Sequence, residues 1–453
     1  MTHVAVIDIG KTNAKLALVD LNSLTELAVL TRPNRVMPGP PYPHFDVEGH
    51  WAFLLEGLAR FHRDHGVNAI SITTHGASAV LLDQKGGLAA PVLDYEHTGP
   101  NETADSYDAI RPDFSETGSP RLPMGLNVGA QLHWMLQTDP DLDARIATVV
   151  TYPQYWGFRL TGALASDVSS LGCHTDLWNP GEGRFSSLVA KLGLEGRIAP
   201  ARPSADKLGH ILSEIAAGTG LPPETPVHCG IHDSNASLLP HVLGRKAPFS
   251  VVSTGTWVIV MAVGAGKVAL DPARDTLINV NGLGDPVPSA RVMGGREYEV
   301  ILSGQQAPAT PEAVADILEN GTMLLPAVVR ESGPFQGREA SWIGQEPALG
   351  SPQRTVAASF YLALMTATCL ELIGHQGEVI VEGPFARNAE YCQMLAAASG
   401  QHVVTSESAT GTSQGAALLA AESKVVPSDA GASRFAPGSK PMALYAKAWT
   451  SML

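Results

Sequence analysis

Two segments half a chain apart share one plan, and that plan limits what the chain can fold into. Val4–Val19 runs as an apolar β-type stretch (Val4, Val6, Ile7) into Asp8. The small turn Gly10-Lys11-Thr12-Asn13 follows, then a second apolar stretch (Leu16, Ala17, Leu18, Val19). Pro248–Ala262, PFSVVSTGTWVIVMA, repeats the pattern around Ser253-Thr254-Gly255-Thr256. Short β-runs flanking a glycine- and hydroxyl-containing turn read as a hairpin. Two such hairpins predict two domains of related design. The length of 453 residues agrees, because it exceeds what one hydrophobic core serves. The boundary is expected in the Gly- and Pro-bearing stretch Leu239–Pro248, which gives domains 1–243 and 244–453.

Between and after the hairpins, β-type and helix-type stretches alternate, which indicates the α/β class. Val67–Leu82 reads as strand, THGAS turn, strand. Pro123–Gln137 and Tyr152–Leu160 read as helices, the latter stopped by Thr161-Gly162. Thr225–Gly230 reads as a strand feeding a helix that starts at Asp233 and reaches Leu239. Val356–Ile373 is a long apolar helix, and Glu378–Gly383, Asn388–Ala398 and Gly415–Ala421 follow as strand, helix and helix. Pro334–Pro352 reads as a long surface loop.

The turns carry the first chemistry. Backbone N–H groups, hydroxyls, an amide and lysines at Gly10–Lys15 and at Ser253–Thr256 are groups that hold phosphate oxygens. Asp8, just before the first turn, suits Mg²⁺, a hard cation held by one or two carboxylates with phosphate and water. A plain edge hairpin with a polar turn is the alternative at either place. Neither turn is a Walker A loop or a G-x-G-x-x-G fingerprint.

Three further constellations stand out. In CGIHDSNAS, Cys229–Ser237, a strand ends and Asp233 follows at a helix start. A carboxylate at a strand end is where α/β folds place ligands. It could accept a proton from an attacking hydroxyl or help hold the metal, or it could simply cap its helix. His232 is a ligand contact or a packed histidine. Glu382–Met394, EGPFARNAEYCQM, leads a strand through a glycine turn into a helix, which suits a purine or ribose against backbone. Thr74–Ser78 (THGAS) and Leu93–Thr98 (LDYEHT) offer His75, Gly76, Asp94, Glu96 and His97 on loops, as a hydroxyl-rich ligand requires. A solvated loop is the alternative for Glu96 and His97.

The formal charge of −14, from 30 basic and 44 acidic residues, argues against duplex nucleic acid or an anionic membrane as main partner. Four separated cysteines without a C-x-x-C pair read as buried thiols of a reducing compartment. No leader pattern and no apolar run of about 18 residues is evident. The expectation is a cytoplasmic protein, with a homodimer left open.

In this order, the motifs resemble the FGGY family of carbohydrate kinases. DIGKTNAK is similar to that family's first phosphate motif, D-x-G-T-T-x-x-K/R, and STGTW to the second. GIHDSNA resembles the element with the catalytic aspartate, G-x-x-D-x-x-A. GPFARNAEYCQ resembles the adenosine element, and SQGAALLA the final helix. Looser likenesses lie at Phe45–Trp51, Leu132–Met135, Phe158–Gly162 and Ser166–Trp178, so the resemblance covers almost the whole chain.

The resemblance implies a two-domain actin-like ATPase (ribonuclease H-like) fold with a deep interdomain cleft, sugar mainly on the first domain and ATP mainly on the second. By position, Asp233 is implied as general base and Asp8 as holder of Mg²⁺, with Asp233 a second metal candidate. Gly10, Lys11, Thr12, Asn13, Lys15, Thr254, Gly255 and Thr256 are implied for phosphate, and Gly383 and Asn388 for adenosine. His75, Gly76, Asp94, Glu96, His232 and Asp233 are the expected substrate contacts. The chain departs from the pattern in three places. Lys11 stands where Thr is usual, beside the expected γ-phosphate. Pro384-Phe385 replace two glycines, so Phe385 either stacks on the purine or blocks it. The sugar element W-x-D-x-R-T appears only as LDYEHT, without its arginine. STGTW and His232-Asp233 are most similar to the rhamnulose kinase branch. The implied substrate is a small ketose such as L-rhamnulose, L-fuculose or a ketopentose. A polyol or glycerol kinase, a non-catalytic sugar sensor and an actin- or chaperone-like ATPase are the competing readings.

Overall fold

The computed structural model describes residues 2–406, 411–421 and 432–453. The chain divides into two compact units. The first comprises Met1–Gly244, Ile278–Pro286 and Thr410–Pro427; the second comprises Arg245–Leu277, Val287–Ala409 and Ser428–Leu453. The main segment of the first unit ends at Gly244, beside the expected boundary, and two later segments also belong to that unit.

The first unit opens with strands β1 (His3–Ile9), β2 (Asn13–Asp20) and β3 (Thr25–Pro33), then helix α1 (Val47–His65). Strands β4 (Ala69–Thr74) and β5 (Ala79–Leu82), helix α2 (Val128–Thr138), strand β6 (Thr148–Thr151) and helix α3 (Tyr152–Thr161) follow. Strands β7 (Lys207–His210), β8 (Pro226–His228) and β9 (Ile231–His232) lead into helix α4 (Asp233–Gly244). The sheet has seven strands in the order β7-β8-β4-β1-β2-β3, with β9 also on β4. β1 pairs antiparallel with β2, with Asp8 opposite Lys15, and parallel with β4.

The second unit repeats this core. Strands β10 (Phe249–Thr254), β11 (Val258–Val263), β12 (Thr276–Val280) and β13 (Pro286–Val292) precede helices α5 (Gly294–Leu302) and α6 (Pro352–Leu372), with Ile278–Val280 of β12 and Pro286 of β13 counted in the first unit. Strand β14 (Glu378–Glu382), helix α7 (Ala389–Ser399) and strand β15 (Val403–Thr405) follow. Its sheet runs β12-β13-β11-β10-β14-β15, with β16 (Arg434–Phe435) beside β15. Here β10 pairs antiparallel with β11 and parallel with β14, as β1 does with β2 and β4. The hairpin echo in the sequence is thus an echo of sheet topology. Each turn is closed by one backbone bond, Gly10 N–H to the Asn13 carbonyl and Gly255 N–H to the Trp257 carbonyl, both 2.9 Å.

Several boundaries differ from the sequence expectation. α2 begins at Val128, five residues late, because the buried Asn127 side chain binds the Leu122 N–H and the Pro120 carbonyl and holds the preceding residues in a loop. The strand β5 after THGAS leaves the main sheet and pairs with β6. Ser341–Ile343, inside the expected loop Pro334–Pro352, pairs with Met323–Leu325. α4 runs through the expected linker to Gly244 despite Pro240. α6 is long and apolar enough to cross a membrane, a feature the reading of apolar runs overlooked, but 78% of its best window is buried. It is the central core helix of the second unit.

The C-terminal part of the first unit is helix α8 (Thr412–Ala417), which begins three residues before the expected Gly415 and ends in a 3-10 turn, Leu418–Ala420. Ala416, Ala417 and Leu418 pack with Val4, Val6 and Ala17 of the first sheet. Gly415 lies against the Ala236 backbone of α4, where a Cβ would collide with the Ala236 carbonyl. Pro240, four residues on, has no N–H to offer that carbonyl. The two departures from ordinary helix composition thus fit one another.

One buried group in the second unit gives a pH test of stability. Glu297 on α5 is fully buried, and burial pushes its carboxyl up to about 7 although it accepts the Val329 N–H. A carboxyl raised in the folded state binds its proton more tightly there than in the unfolded chain. Its ionisation therefore costs nothing at low pH, and the cost grows from about pH 4.5 to pH 7. Glu297→Gln keeps the acceptor and removes the charge. Denaturation should show the variant equal to the parent at pH 4 and more stable by about 2–3 kcal/mol at pH 8.

Candidate active site

The first unit gathers its polar side chains at adjacent ends of parallel strands. β1 ends just after Asp8, β4 runs into His75-Gly76, and β9 runs into Asp233. β4 lies between β1 and β9 in parallel register, and the His75 N–H extends that register by bonding the Ile9 carbonyl at 2.8 Å. Strand ends in such sheets leave their last side chains exposed to a ligand.

Asp8 is almost fully buried. Its Oδ2 accepts the hydroxyls of Thr412 (2.5 Å) and Ser413 (3.0 Å) of α8, and the Lys15 ammonium stands 3.7 Å away. Burial raises its carboxyl above the usual range, the hydroxyls and Lys15 oppose that rise, and Asp233 adds to it. Thr412 and Ser413 were not legible as site residues: the final-helix motif was recognisable, but nothing in it marked two hydroxyls as supports for a carboxylate at the other end of the chain.

Asp233 is the first residue of α4 and about one third exposed. Its Oδ1 accepts the Ser234 N–H at 2.6 Å and stands 3.2 Å from His232 Nε2. His232 is buried, and its N–H bonds Ser169 Oγ at 3.0 Å. Ser169 is held in turn by the fully buried Asp167. Cys173 Sγ is 3.6 Å from His232 Nε2. Burial disfavours charge on both groups, but their mutual attraction, with His174 beside the thiol and Asp233 beside the imidazole, outweighs it, drawing the thiol down and the imidazole up. Gly76 makes this packing possible, since a Cβ there would stand 2.7 Å from His232 Nε2.

His75 is buried against the rings of Phe45, Tyr95 and Tyr152. Burial lowers its pKa, which keeps the ring neutral. Nδ1 donates to the Gly76 carbonyl at 2.9 Å, so Nε2 carries the lone pair, and among the described residues no group hydrogen-bonds it.

Lys11 departs from expectation. Its ammonium donates to Asp94 Oδ1, stands 3.1 Å from Glu96 Oε2, and lies over the Tyr95 ring at 4.7 Å. It is engaged by the 93–98 loop and is not a free cation for phosphate. Lys15 likewise bonds Glu26 at 2.9 Å besides facing Asp8. Gly10, Thr12 and Asn13 remain at the turn, with Thr12 and Asn13 exposed.

In the second unit, Gly255 and Thr256 of the β10–β11 turn line a cavity of about 550 Å³ with Tyr298, Pro384, Phe385 and Asn388. Phe385 does not fill it; the ring is buried against Tyr298 and Tyr391. Three expected contacts have other duties. The buried Thr254 hydroxyl donates to the Glu382 carbonyl and accepts the Phe385 N–H, so it is closed to phosphate. Asn388 caps α7 through the Tyr391 N–H and donates to Ser359 Oγ. Gly383, at φ 81°, packs so closely on Thr254 that a Cβ would strike the Thr254 carbonyl.

Among the described residues no cluster of three or more His, Cys, Asp or Glu side chains could by itself chelate a metal. Asp8 Oδ2 is taken by the Thr412 and Ser413 hydroxyls and Asp233 Oδ1 by Ser234, which leaves one oxygen on each carboxylate, Asp8 Oδ1 and Asp233 Oδ2. A single carboxylate oxygen with water suits Mg²⁺ carried in on phosphate, and a cation there would also offset the buried charge of Asp8.

Residues 3–240 match the family model described as "FGGY family of carbohydrate kinases, N-terminal domain". Residues 246–428 match "Carbohydrate kinase FGGY, C-terminal domain". A solved carbohydrate kinase from Novosphingobium aromaticivorans is 37% identical with a TM-score of 0.92, covering 100% of this chain and 98% of that one. An L-fuculokinase from Salmonella typhi is 28% identical over 207 residues, 45% of this chain and 43% of that protein. A probable L-xylulose kinase from Pasteurella multocida (strain Pm70) is 24% identical over 279 residues, 58% of this chain and 56% of that protein. The chain spans about half the length of these curated relatives.

Proposed function

As a chain that belongs to the FGGY family of carbohydrate kinases and has its two-domain actin-like ATPase fold, this protein, we propose, transfers the γ-phosphoryl group of ATP to a hydroxyl of a small ketose, with Asp233 as general base. The observation that carries this reading is the placement of Asp233: a carboxylate about one third exposed at a strand end, one oxygen held by Ser234 and facing His232, with Asp8 and His75 near enough to interact with it. The names of the two curated relatives support L-fuculose, L-xylulose or a similar ketose such as L-rhamnulose.

In the mechanism, Ser234 N–H and His232 hold Asp233 Oδ1, so Oδ2 is presented to the sugar. As the sugar oxygen forms its bond to the γ-phosphorus, its proton passes to Asp233 Oδ2 while the bond from γ-phosphorus to the β-bridging oxygen breaks. His75 Nε2 accepts a second sugar hydroxyl and fixes the pose. In the first unit the Gly10–Asn13 turn is the phosphate-binding candidate, and in the second unit the 550 Å³ cavity lined by Gly255 and Thr256 takes the nucleotide. Asp8 would hold Mg²⁺, which when bound would supply charge neutralisation to the transferring phosphoryl group.

Incubation with Mg-ATP and L-rhamnulose, L-fuculose, D-xylulose or L-xylulose should yield a ketose phosphate by mass spectrometry. Phosphorylation of glycerol with none of these ketoses turned over would contradict the ketose reading.

A further inference from the structure

The Lys11 ammonium is the feature that the proposed phosphate chemistry does not use. It projects from the phosphate turn, yet every group around it belongs to the other side of the site. Asp94 Oδ1 accepts from it, Glu96 Oε2 stands 3.1 Å away, and the Tyr95 and Phe45 rings lie 4.7 and 5.4 Å from it. One ammonium with two carboxylates leaves a net negative charge. The Lys11 ammonium, neutralised by these carboxylates, therefore adds no charge of its own to a phosphate held by the turn.

We infer that Lys11 is a positioning residue of the sugar site, holding the Asp94–Glu96 loop so that Asp94 and His75 present two acceptors to a neutral, polyhydroxylated substrate. The inference rests on the kinase reading above. Three observations connect the loop to substrate. Asp94 is buried and takes Lys11 and the Glu96 N–H on the same oxygen, Oδ1, so Oδ2 is left for a sugar hydroxyl. The Tyr95 ring contacts both groups, 4.7 Å from the cation and 5.3 Å from the imidazole, so the loop also supplies part of the wall against His75. The unpartnered lone pair on His75 Nε2 is nine-tenths buried and needs a donor. Acceptors in a net negative setting select hydroxyl donors and reject carboxylates. A ketose fits these demands, and its aldonic-acid relatives do not.

The test is a kinetic split on purified full-length protein with Mg-ATP, using the ketose that the wild type turns over best. Lys11→Thr and Lys11→Met should raise the KM for the sugar about tenfold or more, with the KM for ATP within about twofold. A merely structural role would move both constants together. A higher KM for ATP with an unchanged sugar KM would make Lys11 a phosphate ligand and overturn the inference, as would no change in either. The wild type provides a second measurement that needs no variant to fold: kcat/KM for the neutral ketose should exceed that for D-gluconate at least about a hundredfold. Preference for D-gluconate would overturn the inference while leaving a kinase. No turnover with any sugar would instead overturn the kinase reading on which it rests.

Discussion

Asp233→Asn should lower kcat by about 10²–10⁴-fold while both KM values stay within a few fold. Asparagine has the same shape and retains an oxygen for the Ser234 N–H, so the start of α4 is undisturbed. It cannot take a proton at neutral pH. The loss therefore falls on the step in which the sugar hydroxyl is deprotonated, and ligand binding is spared. Steady-state kinetics with the preferred ketose, with sugar-induced thermal shift as the check on binding, separates this from misfolding. A variant that retains near-normal turnover removes Asp233 from the role of base.

Gly415→Val should be the most damaging substitution outside the strand ends. Any side chain there strikes the carbonyl of Ala236, three residues after Asp233 on α4. The neighbours of Gly415 on α8, Thr412 and Ser413, hold the Asp8 carboxylate. Forcing α4 and α8 apart thus displaces both Asp8 and Asp233, the acidic residues of the proposed site. Overpacking against backbone, which cannot rotate away, should cost about 3 kcal/mol or more and lower Tm by roughly 5–10 °C. Activity should fall further than stability alone accounts for, even at temperatures where the variant is folded. Circular-dichroism melts beside turnover at 15 °C would show both effects. A variant with parental Tm and turnover would mean that the helices do not meet at this glycine.

The sequence made the repeated hairpin legible because β-branched runs and a glycine turn are local signals. Asp8, His75, His232 and Asp233 were legible because each follows an apolar strand, and strand ends are where such folds present side chains. What was hidden depended on contacts distant in the chain. Nothing local says that Thr412 and Ser413 reach Asp8, or that α8 joins the first unit. Thr254 reads as a phosphate hydroxyl in STGTW, yet β14 lies beside β10 and takes that hydroxyl for its own Glu382 carbonyl. Lys11 reads as a phosphate cation because its sequence neighbours are turn residues; its partners lie more than eighty residues on. Asn388 was correctly read as standing at a helix start, but a cap uses the side chain that adenosine would have needed.

The central claim is phosphoryl transfer from ATP to a ketose with Asp233 as base, and sugar-dependent ADP release tests it most directly. With Mg-ATP, the wild type should release ADP only when L-rhamnulose, L-fuculose or a xylulose is added, and Asp233→Asn should release almost none under the same conditions. ADP release at the same rate with and without sugar, or unchanged in Asp233→Asn, would contradict the account.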